Sequence, residues 1–124
     1  MILGSVTDDG VPVITLDAGG RQWRATIDTG FNGGVELPLR LRPFVNPEFV
    51  GHVRSSLAAG QTVVEEAHYV DFPFDGRTVR SVATFVPGEE ILLGTGLLRD
   101  YRLEINFVEQ TVLLEWVGGE EGVA

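Results

Sequence analysis

The residues best placed to do chemistry are Asp28, Thr29 and Gly30, which open the Gly-rich stretch of residues 28–34. They follow an alternating apolar run in which Trp23, Ala25 and Ile27 share one face of a strand while Arg24 and Thr26 take the other. An Asp leaving a strand end into such a loop suits a carboxylate held rigidly at a surface cleft. The Gly lets another chain approach the backbone, and the Thr hydroxyl can bond a neighbouring backbone. Asp, Thr and Gly are also ordinary turn formers, so the tripeptide alone would read as a turn. A second segment changes that weighing. Ile91-Leu92-Leu93 is a wholly apolar run, followed by Gly94, Thr95-Gly96 and Leu97-Leu98. The nine basic residues are all Arg, with no Lys and no Cys. Schiff-base chemistry, thiol nucleophiles, disulfides and Cys-bound metals are therefore excluded.

The elements that must position these residues are short β-runs. Sixteen Gly and six Pro punctuate 124 residues, a pattern of sandwiches and barrels. Residues 11–17 and 22–27 read as a hairpin around Ala18-Gly19-Gly20. Residues 35–37 form a short strand stopped by Pro38. Leu39 to Phe44 could make a helical turn cut by Pro43, and Asn46-Pro47-Glu48 has the look of a short helix start. Residues 52–57 and 61–71 are two arms around Ala58-Ala59-Gly60. Asp75-Gly76 is a strong hairpin signal, and residues 102–107 and 111–116 make a last hairpin. Thr95 to Asp100 reads as one or two helical turns. The Gly- and Glu-rich tail from Gly118 to Ala124 has little to bury and is expected to fray.

Taken together, Asp28-Thr29-Gly30, Ile91-Leu92-Leu93-Gly94 and the Leu97-Leu98 that follows resemble the retropepsin-like aspartic proteases, the retroviral enzymes and their small bacterial relatives. The resemblance spans about residues 11–116 of a single domain, 1–124. It implies an all-β, single-lobe acid-protease barrel with one short helix after Gly94, assembling as a homodimer. It also implies an aspartic endopeptidase that cleaves extended peptides without a cofactor or metal. Such chemistry needs two carboxylates about 3 Å apart sharing one proton, one activating water and the other donating to the scissile carbonyl. This chain has one Asp-Thr-Gly, so the second Asp28 comes from another copy across a two-fold axis. By the resemblance, Thr29 bonds across that axis and Gly30 presents its carbonyl to the substrate. Asn32 stands where many relatives carry an Asp that contacts substrate backbone. The tip Leu57-Ala58-Ala59-Gly60-Gln61 is a flap over the peptide, and Ile91 and Leu92 thread beneath the active loop and line its pocket. Two residues depart from the family pattern. Phe31 replaces a small residue and could crowd the cleft, and Thr95-Gly96 replaces a pair that braces the following helix.

Other signals are weaker. His52 and His68, with Glu65 or Glu66 nearby, lack the three assured ligands of a metal site and read as ordinary strand residues. Glu65-Glu66 and Glu89-Glu90 point to opposite strand faces and read as solvated. The Trp116 face, with Val112 and Leu114, is either core or dimer interface. A net charge of −9 argues against nucleic acid as a partner. No apolar run suits a membrane helix, and residues 1–10 lack the basic start of a signal peptide, which makes cytoplasmic the expected location. Two readings stand beside the peptidase: a catalytically silent dimer that binds peptides or partner proteins through the same cleft, and an unrelated ligand-binding barrel.

Overall fold

The computed structural model describes residues 1–56 and 58–118. Ten strands follow in chain order: β1 (Ile2–Val6), β2 (Pro12–Ala18), β3 (Arg21–Ile27), β4 (Val35–Pro38), β5 (Glu48–Ser56), β6 (Thr62–Phe74), β7 (Arg77–Val86), β8 (Glu90–Leu93), β9 (Tyr101–Asn106) and β10 (Thr111–Trp116). They form one sheet in the order β5-β6-β7-β4-β8-β3-β2-β1-β10-β9. The β3–β8 and β4–β7 pairs are parallel and the other pairs antiparallel.

The expectation of a barrel is not met. Closure requires the first and last strands to meet at matched tilt and stagger. Here β5 and β9 are the two edges, with no ladder between them. The reason lies in the β5–β6 hairpin, whose outer half is largely exposed and stands off as an arm. The sheet still curls around one core. Ile14, Leu16, Trp23, Ala25, Ile27, Leu37, Phe72, Ile91, Leu93 and Leu114 all belong to a single buried cluster. Period-two alternation produces this, since Ile14-Leu16-Ala18 and Trp23-Ala25-Ile27 are each the inward set of their strand. The Trp23 indole donates to Ala18 O at 2.9 Å, which satisfies its buried N–H.

Turn chemistry follows the sequence at Asp75-Gly76, where φ values of 56° and 75° suit a type I′ hairpin. Gly19-Gly20 does the same between β2 and β3, with φ values of 59° and 80°, while two other expected elements are not found. Asn46-Pro47 starts no helix: Asn46 has φ 50°, its amide donates to Asp71 Oδ2 at 3.2 Å, and Asp71 N donates to Val45 O at 2.8 Å. That segment is thereby fastened to β6, and Glu48 enters β5 directly. Residues 39–44 form a 3-10 turn with Pro43 inside it. The expected helix after Gly94 is absent too. Residues 95–100 are turns that lead into β9: the Thr95 and Gly96 amides bond the loop after β3, Leu97 N and Leu98 N close a single turn on Gly94 O, and no helix continues from it. His52 and His68 do not face each other. His52 pairs with Glu66 and His68 with Phe49, and a bulge between Phe49 and Gly51 shifts the register at the foot of the arm. Strand β1 has no clear signal in the sequence, yet it bridges β2 and β10. Residues 119–124, expected to fray, lie outside the described residues. No helix among the described residues is long and apolar enough to cross a membrane.

The seating of β1 is testable. A methyl at Gly4 would lie 2.2 Å from Val13 O and 2.7 Å from the Ile14 side chain. Gly4→Ala is expected to cost about 1–3 kcal/mol. The cost reads as a lower urea midpoint at fixed protein concentration, and an unchanged midpoint would mean that β1 does not pack on β2.

Candidate active site

The loop between β3 and β4 carries Asp28, and its position is set by backbone hydrogen bonds. Asp28 N donates to Leu93 O at 3.0 Å, which continues the β3–β8 ladder by one residue. Gly30 N donates to Asp28 Oδ1 at 2.9 Å and Phe31 N to Asp28 O at 3.1 Å, so the carboxylate closes its own turn. From the other side, Gly94 N donates to Gly34 O at 2.8 Å, Thr95 N to Phe31 O at 2.8 Å and Gly96 N to Gly33 O at 2.9 Å. The Thr95 hydroxyl adds a longer contact to Phe31 O at 3.4 Å. Thr95-Gly96 looked in the sequence like a missing brace. It is instead the clamp on the Asp28 loop.

Glycine is required at this crossing for space. A Cβ on Gly94 would sit 2.2 Å from Gly33 O, and one on Gly34 would sit 2.2 Å from Ser81 Oγ. The Phe31 ring lies against Gly33 and Gly94, where added Cβ atoms would meet it at 2.7 Å. It therefore packs on the crossing and also lines the cleft beside it.

That cleft has a volume of about 610 Å³. Its floor is residues 30–36, one wall is Val53, Arg54, Ser56 and Glu65 of the arm, and the other is residues 82–84 of β7. A larger hollow of about 850 Å³ lies beside β9 and β10, away from the Asp28 loop, and size alone does not make it the site. Asp28 is half-buried, while Thr29 and Gly30 are exposed. One carboxylate on a fixed loop can take a proton. Donating another in the same step requires a second acid.

The expected site residues separate into groups. Gly30 and Asn32 line the cleft. Ile91 is fully buried against Ala25 in the parallel ladder, as part of the core. Leu92 is half-buried and pairs with Thr26 and Glu36. Neither lines the cleft wall. Ala59, Gly60 and Gln61 are exposed at the end of the arm, with Ala58 in the same 3-10 turn, and Ala59 holds φ 66° there. Leu57 lies outside the described residues. Sequence reading missed Glu36. The local pattern carries no signal for it, since an acid between the buried Val35 and Leu37 reads as the outward face of a strand. Burial first, then the charges of Glu65 and Asp28, push its carboxyl above the ordinary range. Glu65, read as merely solvated, faces the same cleft.

No family profile and no curated protein sequence matches the chain. Solved structures do. A crystal structure of a retropepsin-like aspartic protease from Rickettsia conorii superposes with a TM-score of 0.64 at 16% identity, over 93% of this chain and 89% of that one. The protease of simian foamy virus gives a TM-score of 0.53 at 17% identity, over 70% and 91%. The foamy viral protease–reverse transcriptase gives 0.59 at 16% identity over 76% of this chain, which spans only 13% of that longer protein. With the crossing of residues 28–34 and 94–96 in place, these superpositions establish that the chain has the fold of the retropepsin-like aspartic proteases.

Proposed function

We propose that this chain is one half of a homodimeric aspartic peptidase. The observation that carries the reading is Asp28, half-buried on a loop pinned from both sides, with Thr29 and Gly30 exposed next to it. A rigid Asp-Thr-Gly with its Thr and Gly exposed is what a second copy would have to meet. A two-fold axis beside this loop brings two Asp28 carboxylates together and needs no other residue change. The ionised member removes a proton from water as the oxygen attacks the peptide carbonyl. The protonated member gives its proton to the carbonyl oxygen. Collapse of the tetrahedral species then returns a proton to the leaving nitrogen. The substrate is an extended peptide lying in the cleft beneath the arm, which excludes water as it closes. The fold match supports this reading, and so does the cleft that opens beside the loop. Phe31, bulky in the cleft floor, favours a second reading, a dimer that binds peptides without cutting them.

Cleavage of a mixed peptide pool decides between the two. Asp28→Asn is expected to lower the rate by about 10²–10⁴-fold. The wild-type rate per chain should fall on dilution through the dimer dissociation range. Refolding equal amounts of wild type and Asp28→Asn together should give about a quarter of the activity of the same total amount of wild type, since only pure wild-type pairs hold both ionisable groups. A pool left intact from about pH 3 to pH 8 at high protein concentration would leave the binding reading standing.

The crossing gives a further expectation. Gly94→Ala must push Gly33 away and should cost about 1–3 kcal/mol of stability. Its residual activity at a permissive temperature should show a lower kcat, because Asp28 moves with the loop. A variant with wild-type melting and kcat would contradict that coupling.

A further inference from the structure

Several acids on this surface are matched to the scarce arginines. Glu89 pairs with Arg40, Glu90 with Arg24, Glu48 with Arg80, and Glu104 and Glu115 with Arg102. Among the described residues, Glu36 and Glu65 are the glutamates that are partly buried yet have no cationic partner. Both line the cleft beside the Asp28 loop. Arg54 lines it too but makes no ion pair with either of them. Glu36 comes from the floor on β4 and Glu65 from the arm on β6, so they border one space from two elements. A half-buried carboxylate without a partner loses hydration and gains nothing in exchange, unless a ligand supplies the missing cation.

We propose that Glu36, with Glu65 opposite, selects a lysine or arginine side chain of the bound peptide. The inference rests on reading the cleft as a peptide site, and it gives that site a substrate class. A long basic side chain reaches past the peptide backbone to the β4 floor, and its stem lies along apolar wall residues such as Val53 and Val82. Its charge relieves the crowding among Glu36, Glu65 and Asp28, the same crowding that raises the Glu36 carboxyl. Glu36 acts on binding and not on the reacting atoms, so it is a specificity residue.

The test uses fluorescent peptides that differ at one position, carrying lysine, arginine, norleucine or glutamate. Their binding to Asp28→Asn dimers is read by anisotropy, and wild-type cleavage products of the same peptides are read by mass spectrometry. Basic peptides are expected to bind about tenfold tighter than norleucine ones. Glu36→Gln should abolish most of that preference and Glu65→Gln part of it, with both variants checked for wild-type circular dichroism. Lowering the pH from about 7 to about 4 should remove most of the preference, because Glu36, whose carboxyl is raised by burial, takes up a proton. Charge-blind binding, a preference that survives both Gln variants, or a preference for glutamate through Arg54 would each overturn the proposal. Cleavage without charge preference would remove this inference and leave the peptidase reading intact. Charge-selective binding with no cleavage by wild type would remove the peptidase reading and leave the inference.

Discussion

Two stretches of backbone meet in this molecule with no side chain between them. Residues 94–96 lie against residues 31–34, and three amide groups of the first reach three carbonyls of the second. The contact distances leave no room for even a methyl group at Gly94. Backbone hydrogen bonds in a crowded, partly dry setting are costly to leave unmade. The amides of Gly94, Thr95 and Gly96 complete them. Their result is that Asp28, one residue beyond the end of β3, inherits the rigidity of a parallel ladder although it belongs to a loop. A carboxylate that must meet another across an axis has little tolerance for error, and a ladder supplies more precision than a turn can.

The open sheet follows from the same division of labour. The strands that support the crossing, β3, β8 and β4, sit in the middle of the strand order. Toward one edge runs the β5–β6 arm, and toward the other the terminal hairpin β9–β10 with β1 laid beside it. A closed barrel would have to spend the arm on pairing with β9. Left free of that duty, the arm instead forms one wall of the cleft, through Val53, Arg54, Ser56 and Glu65.

Much of this was legible in residue order. Asp28-Thr29-Gly30 and Ile91-Leu92-Leu93-Gly94 marked the crossing, and period-two patterns marked β2, β3 and the last hairpin. What was not legible depended on partners far away in sequence. Strand β1 contains Gly4 and Ser5, which blur the alternation, and it is a strand because β2 and β10 flank it. Leu97-Leu98 looks helical locally, and both amides do close on Gly94 O, but the turn is not continued into a helix. Ile91 and Leu92 were expected at the pocket by the family resemblance alone. The register turns Ile91 into the core. Glu36 was passed over because neighbouring charge, not local pattern, gives it meaning.

The arm has an uneven foundation. At its foot the ladder skips a residue between Phe49 and Gly51, and Gly51 adopts φ 147°, a conformation that other residues avoid. Bulges bend and twist the strand that carries them. Just beyond, His68 is wedged edge-on between Phe49 and Phe85, at 5.7 Å and 5.5 Å between ring centres. The angle set at this bulge fixes where the whole arm lies, so a small change of angle near residue 50 translates into a large change of position at the far end.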